Sequence, residues 1–179
     1  MKNKKVNTFV KIGVLSAIAF LLQFIGSAIG LDVAGFLTIE FSDLPALIGA
    51  FALGPLSGVL IELIKNLLHC SITSTGFVGE FANLVTNGIF VMTAGLIYKK
   101  NRTLKGAVIG TIIAIFVMTA AAMLTNLFIM LPMYMPKADF SAKLNLVLYT
   151  ITPFNFCRGI VLAILTFLLY KRLTPILKK

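Results

Sequence analysis

The sequence predicts an all-α, polytopic membrane protein with six transmembrane helices and both termini in the cytoplasm. Of its 179 residues, 59% are hydrophobic and 12% are charged, whereas soluble domains have about 45–50% apolar and about 25% charged residues. Apolar runs of about 20 residues, the length of a membrane-spanning helix, recur along the chain. Because these runs are continuous rather than alternating, they favour helices over a transmembrane β-barrel. We expect a single membrane domain over residues 1–179.

Four long spans are predicted directly from the apolar runs: Phe9–Ala28, Phe77–Tyr98, Lys105–Leu131 and Leu144–Tyr170. The first span follows several lysines, as the apolar part of a secretory signal peptide does. Its apolar run is long enough to cross a membrane, however, and further spans follow it. We therefore expect a retained helix at the N-terminus.

The segment Ile39–Cys70 is either one long helix or two short helices that are broken at Gly54-Pro55. The basic residues decide between these alternatives, because cytoplasmic loops of membrane proteins are rich in lysine and arginine. Twelve of the sixteen lie in three clusters: Lys2, Lys4, Lys5 and Lys11; Lys99, Lys100, Arg102 and Lys105; and Lys171, Arg172, Lys178 and Lys179. All three clusters face the cytoplasm only if the segment crosses twice, and Gly-Pro is a natural helix breaker. The resulting outer loops are Ile29–Glu40, Ser71–Gly76 and Pro132–Lys143.

Polar residues interrupt the apolar sequence toward the outer ends of three predicted helices. The first set shares one face of the helix Pro55–Cys70, and its members are Glu62, Lys65, Asn66 and His69. The other two sets are Glu80, Asn83 and Asn87 on the next helix, and Asn155 and Arg158 on the last. An ionised side chain at the bilayer centre costs roughly 2.5–3.5 kcal/mol. Such residues are therefore expected to pair, to face a wet cavity or to hold a ligand.

Two interpretations of these polar residues stay open. For Glu62, Lys65 and His69, an internal hydrogen-bond network between helices is favoured over acid–base chemistry. For Asn83, Asn155 and Arg158, ligand contact is favoured, because amides and guanidinium groups match planar polar edges. Aromatic residues toward the same side form either an interfacial belt or the walls around a flat ligand. They are Phe36, Phe41, Phe77, Phe81, Tyr134, Tyr149, Phe154 and Phe156.

The first helix carries a small-x-x-x-small motif at Gly13 and Ala17. Such a motif lets a second helix approach closely. The second helix is either another part of the same bundle or a partner subunit.

Composition and motifs argue against several functions. Outside the three basic clusters the chain has four basic and six acidic residues, so its net charge of +10 does not indicate nucleic-acid binding. A single histidine, and two cysteines without metal-ligand spacing, argue against a metal centre. The sequence contains no Walker A, G-x-S-x-G or H-E-x-x-H motif. We therefore expect neither enzyme activity nor a cofactor, and ATP-driven transport would need an external ATPase.

Three stretches, FSDLPALIGAFALGPLSGVLIELIKNLLH, STGFVGEFANL and ITPFNFCRG, resemble the riboflavin-specific S components of energy-coupling factor (ECF) transporters. The resemblance extends over essentially the whole chain. It implies a membrane subunit that captures riboflavin, as a transported ligand, near the outer surface. The substrate-binding residues that it implies are Glu80, Asn83, Asn155 and Arg158. The family commonly has lysine at the position of Arg158, and Ala-x-x-x-Ala where this chain has Gly13 and Ala17.

The resemblance also implies partners and a location. The partners are a transmembrane coupling subunit, which docks on Gly13 and Ala17, and two cytoplasmic ATPase subunits that supply the energy. The location is a prokaryotic plasma membrane, and the implied mechanism is toppling of the whole S component. Three alternatives remain: an S component for another vitamin, a small intramembrane enzyme that uses Glu62, Lys65 and His69, and a structural subunit whose polar stripes only hold helices together.

Overall fold

The computed structural model describes the backbone of residues 2–29, 32–33, 37–38, 41–73 and 77–178. Side chains are described for residues 5–26, 37, 41–73 and 77–169. Within these ranges the chain is a bundle of helices, in agreement with the predicted all-α class. Four of the described helices are long and apolar enough to cross a membrane: Lys5–Gly26, Val78–Lys100, Leu104–Tyr134 and Phe140–Leu169. They correspond to the four spans predicted from the apolar runs.

The first helix, α1, covers Lys2–Ile29, and a short strand pair follows it. Strands β1 (Asp32–Val33) and β2 (Leu37–Thr38) are antiparallel. Sequence analysis predicted only a loop at this place, because two-residue strands are too short to show a periodic pattern. The predicted aromatic residue Phe36 lies outside the described residues.

A helical hairpin forms the centre of the bundle. Helix α2 covers Leu44–Leu53 and α3 covers Pro55–His69, so the predicted break at Gly54-Pro55 is present. Gly54 has φ 114°, a conformation that glycine adopts without a Cβ clash, and Pro55 begins α3 where its missing N–H is not needed. At 1.5 Å per residue, α2 is about 15 Å long and α3 about 22 Å. Both are shorter than the ~30 Å hydrocarbon core.

The remaining helices form two long connected runs after α4 (Val78–Lys100). Helix α5 (Leu104–Thr125) continues through a π-helical turn, Asn126–Met130, into α6 (Leu131–Tyr134). Helix α7 (Phe140–Leu146) continues through a second π-helical turn, Val147–Ile151, into α8 (Thr152–Lys178).

The predicted outer loop Pro132–Lys143 was therefore too long, because helix occupies both of its ends. The connection that remains is residues 135–139. Pro132 lies at the start of α6, directly after the first π-helical turn. Pro153 likewise lies directly after the second π-helical turn, in which backbone hydrogen bonds join residues five positions apart. The prolines at positions 132 and 153 are thus incorporated into long helices instead of ending them.

The apolar core lies around α2, and α1, α3, α4, α5 and α8 all contribute to it. Residues 45–51 of α2 are all buried. Close packing of the hairpin depends on Gly58, where a Cβ would lie 2.7 Å from the Cβ of Ala50 and 2.9 Å from the carbonyl oxygen of Ala46. Helix α2 is thus surrounded by other helices, whereas α3 packs against the bundle with one face and leaves leucines such as Leu56 exposed on the other.

Candidate functional site

The polar face of α3 is buried inside the bundle. The side chains of Glu62 and Lys65 are 0% exposed, and Asn66 and His69 are also buried. They face the first half of α4, where Asn87 is buried and Asn83 is partly buried. Sequence analysis predicted both stripes, and the structure brings them together between α3 and α4.

Asp43 is the centre of this polar cluster. It directly precedes α2, and its carboxylate is 0% exposed. Its Oδ1 accepts hydrogen bonds from Lys65 Nζ at 2.7 Å and from Asn87 Nδ2 at 2.9 Å. Its Oδ2 accepts one from Arg158 Nη2 at 2.5 Å. The carboxylate therefore joins the start of α2 to α3, α4 and α8.

Lys65 makes the second set of connections. Its ammonium group lies 2.7 Å from Glu62 Oε2, and it donates to Asn83 Oδ1 at 3.1 Å and to Ser42 Oγ at 3.1 Å. Asn83 Oδ1 also accepts a hydrogen bond from Asn87 Nδ2 at 2.9 Å. Asn83 is consequently held by two donors from the bundle interior.

The formal charges of this ion-pair network, which consists of Asp43, Glu62, Lys65 and Arg158, balance. Burial of an unpaired charge in a bilayer is costly, and pairing is the usual way in which membrane proteins tolerate it. Removing one member of a buried ion pair costs about 3–5 kcal/mol, since the remaining charge stays buried. The network therefore makes the relative positions of α2, α3, α4 and α8 interdependent.

A separate pair lies at the junction of α3 and α4. His69, the last residue of α3, has its Nδ1 2.8 Å from Oε1 of Glu80 in the first turn of α4. Both side chains are buried. Residues 74–76 of the intervening connection lie outside the described residues. The pair closes the α3–α4 junction and orients the carboxylate of Glu80.

The four predicted substrate-binding residues lie in the first two turns of α4 and α8. Asn83 and Arg158 belong to the same network, through Lys65 and Asp43 respectively. Glu80 lies about one turn before Asn83, and Asn155 about one turn before Arg158. Asn155 is buried and donates through Nδ2 to the carbonyl oxygen of Ile151, at the end of the second π-helical turn. All four are held in defined positions by other protein groups.

Sequence analysis missed the role of Asp43. The available signal was an acidic residue directly before the apolar helix start Leu44-Pro45, where a capping role is the usual interpretation. The structure shows no side-chain capping bond from Asp43. Instead its carboxylate binds Lys65, Asn87 and Arg158, and this choice depends on tertiary packing.

The predicted aromatic residues differ in exposure. Phe77, Phe81 and Tyr149 are largely exposed, whereas Phe154 and Phe156 are partly buried. Phe156 packs against Phe116 of α5, with ring centroids 5.5 Å apart. The exposed rings thus remain candidates for the membrane interface or a ligand, while Phe156 contributes to helix packing.

The small-residue motif of α1 faces away from the bundle. Gly13 and Ala17 are exposed, and a Cβ added at Gly13 would meet no described atom within 4 Å. The opposite side of α1, which includes Ile12, Leu15 and Ala19, is buried in the core. Within the described part of the chain, this motif does not serve intramolecular helix packing.

These observations define the class as a small helical membrane protein with a buried polar cluster near one end of its bundle. The family described as "ECF transporter, substrate-specific component" matches residues 7–170. The chain belongs to this family of ECF transporter S components.

Individual relatives agree with this assignment. The chain is 40% identical to the riboflavin transporter RibU of Staphylococcus aureus (strain TCH60), over 99% of this chain and 94% of the relative. It is 31% identical to the riboflavin transporter FmnP of Bacillus subtilis (strain 168), over 96% and 94% of the two chains. A solved structure described as "Structure and mechanism of the S component of a bacterial ECF transporter" matches with a TM-score of 0.82 and 37% identity, over 100% of both chains.

Family membership decides between the functional alternatives. An S component is the substrate-binding membrane subunit of a transporter, so the chain is a transport protein and not an enzyme. The alternative of an intramembrane enzyme that uses Glu62, Lys65 and His69 is therefore wrong. In the structure Glu62 and Lys65 form an ion pair inside the bundle, and His69 lies within hydrogen-bond distance of Glu80.

Proposed function

We propose that this S component captures riboflavin and presents it for ATP-driven uptake. The proposal rests on the near full-length similarity of this chain to two proteins named as riboflavin transporters, at 40% and 31% identity. Riboflavin is the transported ligand in this proposal, and no cofactor takes part.

The proposed substrate-binding residues are Glu80, Asn83, Asn155 and Arg158. Asparagine amides both donate and accept hydrogen bonds, as the polar edge of a flavin ring and the hydroxyls of a ribityl chain require. The guanidinium group of Arg158 adds a donor pair of fixed geometry. Because Asp43 holds Arg158 and Lys65 holds Asn83, part of the site is organised before the ligand arrives. Such preorganisation lowers the entropy cost of binding.

The proposed topology has six crossings, a single domain over residues 1–179 and both termini in the cytoplasm of a prokaryotic cell. Four long apolar helices and the Gly54-Pro55 break between α2 and α3 support the six crossings. The three basic clusters support the cytoplasmic position of the termini. With this orientation Glu80 and Asn155 lie toward the outer side of the plasma membrane.

The proposed partners are a transmembrane coupling subunit and two cytoplasmic ATPase subunits. The exposed face of α1 at Gly13 and Ala17 supports docking of the coupling subunit, since small residues let two helices approach closely in a membrane. The absence of a Walker A motif from the sequence is the reason why the energy must come from other subunits.

Titration of the purified protein with riboflavin tests the substrate. Flavin fluorescence should be quenched as the vitamin enters the site, with saturation at one molecule per chain. Parallel titrations with FMN and with other vitamins serve as controls. Tight binding of a different vitamin, without riboflavin quenching, would contradict the assignment and leave the S-component family unaffected.

A further inference from the structure

A cavity lies at the end of the bundle opposite the ion-pair network. Its volume is about 290 Å³, and it opens between the α2–α3 turn and the end of α4. The turn contributes Gly54 and Pro55, and α4 contributes Gly95 and Tyr98. Asn87, which contacts Asp43, is about 17 Å along α4 from Tyr98 at 1.5 Å per residue. The cavity is thus separate from the proposed riboflavin site.

The floor of the cavity is apolar and closely packed. Phe51 and Tyr98 are both buried, and their ring centroids are 4.9 Å apart. Gly95 lets α4 approach the turn closely, because a Cβ there would lie 2.9 Å from Pro55. The floor is therefore formed by well-packed side chains that leave the space above them open.

The rim of the cavity is strongly basic. Lys99 and Arg102 line it, and both are exposed. The sequence has no acidic residue between positions 44 and 61 or between positions 81 and 138, the segments that contain all of the lining residues. No carboxylate on these segments neutralises the two cations, so the cavity attracts anions.

The apolar floor continues toward the lipid-facing surface of α3. Leu56 lines the cavity and is 68% exposed. Leu60 and Leu67 are exposed on the same face of this helix, at spacings of four and seven residues. A cationic rim beside an exposed apolar track matches the two parts of a phospholipid, whose phosphate carries the charge and whose acyl chains are apolar.

We propose that this cavity binds the phosphate headgroup of an anionic phospholipid from the cytoplasmic leaflet. The proposal rests on the topology proposed above, which puts Lys99 and Arg102 on the cytoplasmic side. Basic pockets between transmembrane helices on this side are known to bind anionic headgroups. The guanidinium group of Arg102 binds a phosphate through paired donors, and Lys99 adds a second positive charge. The bound lipid joins the α2–α3 turn to the end of α4.

Native mass spectrometry of the purified full-length protein tests this proposal. Before the measurement, the protein is equilibrated in mixed micelles that contain equal amounts of phosphatidylglycerol and phosphatidylcholine. The wild type should retain one phosphatidylglycerol in preference to phosphatidylcholine. The double variant Lys99→Ala/Arg102→Ala should lose this preference, by about ten-fold for each charge-assisted contact to the phosphate that is removed.

A matched control variant separates the cavity from the general positive charge of the loop. Lys100→Ala/Lys105→Ala removes the same charge from neighbouring exposed positions that do not line the cavity. This control should retain phosphatidylglycerol within about two-fold of the wild type. Equal loss in both double variants would overturn the proposal, because diffuse electrostatic attraction would then explain the retention.

Two further measurements test the cavity itself and the identity of the anion. Ala52→Phe fills the cavity and leaves every charge in place, so it should also reduce retention, and unchanged retention would overturn the proposal. Millimolar inorganic phosphate should not displace the lipid, and displacement would indicate a site for soluble phosphate instead.

Riboflavin titration of each variant tests its folding and its riboflavin site independently of lipid retention. All four proteins should bind riboflavin alike, because the cavity lies at the opposite end of the bundle. If none of them binds riboflavin while lipid retention follows the pattern above, the substrate assignment fails and the lipid site stands.

Discussion

The exchange Asp43→Asn tests the ion-pair network with the smallest change in side-chain volume. It removes the negative charge that accepts hydrogen bonds from Lys65 at 2.7 Å and from Arg158 at 2.5 Å. Lys65 still forms its ion pair with Glu62, at 2.7 Å, whereas Arg158 loses its ion pair with the Asp43 carboxylate. Asn87 can still donate to the oxygen of the new amide. The exchange thus mainly removes the carboxylate that pairs with the partly buried Arg158.

Breaking a buried ion pair from one side costs about 3–5 kcal/mol. We expect a loss of about 3 kcal/mol, at the lower end, because Glu62 continues to compensate Lys65. For a chain of this size, 1 kcal/mol corresponds to a shift of about 2–4 °C in the midpoint of thermal unfolding. The expected decrease in Tm is therefore about 6–12 °C. Riboflavin affinity should also fall, since Arg158 loses the group that positions it.

Thermal unfolding in detergent, with and without riboflavin, measures both effects. Ser42→Ala is the matched control, because it removes a neighbouring hydroxyl with longer hydrogen bonds to Lys65 and Asp43, at 3.1 and 3.5 Å. It should cost only about 1 kcal/mol. If Asp43→Asn unfolds within about 2 °C of the wild type, the network does not stabilise the bundle and the reasoning is refuted.

Three other predictions concern the binding site, the docking face and the central hairpin. Asn155→Ala should weaken riboflavin binding by about 1–3 kcal/mol, measured by fluorescence titration, if the amide pairs with a buried flavin group; unchanged affinity would remove Asn155 from the site. Gly13→Leu and Ala17→Leu should reduce uptake in vesicles that contain the complete transporter while leaving binding by the isolated subunit intact, and Val14→Leu, on an exposed position between them, is the control. A parallel loss of binding would show that the motif supports the bundle. Gly54→Ala should lower the unfolding free energy by about 1–3 kcal/mol, because φ 114° strains any residue with a Cβ; an unchanged Tm would show that the turn relaxes.

Much of the local structure was predictable from the sequence. The lengths of the apolar runs predicted the four long helices, since a helix that crosses a bilayer needs about 20 apolar residues in succession. The Gly54-Pro55 dipeptide predicted the break between α2 and α3, because a proline cannot continue the preceding helix. The spacing of the polar residues from Glu62 to His69 predicted one polar face on α3, because residues three and four apart lie on the same side of a helix.

The ends of two helices were not predictable in the same way. Pro132 suggested a helix boundary, yet the π-helical turn at residues 126–130 leads directly into α6. Pro153, inside the predicted span Leu144–Tyr170, lies just after a second such turn at residues 147–151. Such a turn is tolerated when neighbouring groups satisfy the backbone that it disturbs. The carbonyl oxygen of Val147, for example, accepts the backbone N–H of Thr152 and also its hydroxyl, the latter at 2.8 Å.

The pairing of the polar residues depended most strongly on tertiary structure. The spacing of polar residues was sufficient to show which helices carry buried polar groups, because helical periodicity is a local property. It did not determine their partners. Asp43 and Arg158 are 115 positions apart and meet only because α2 and α8 pack side by side. Charge balance requires that a buried carboxylate find a cation, but the packing of the helices decides which cation is within 3 Å.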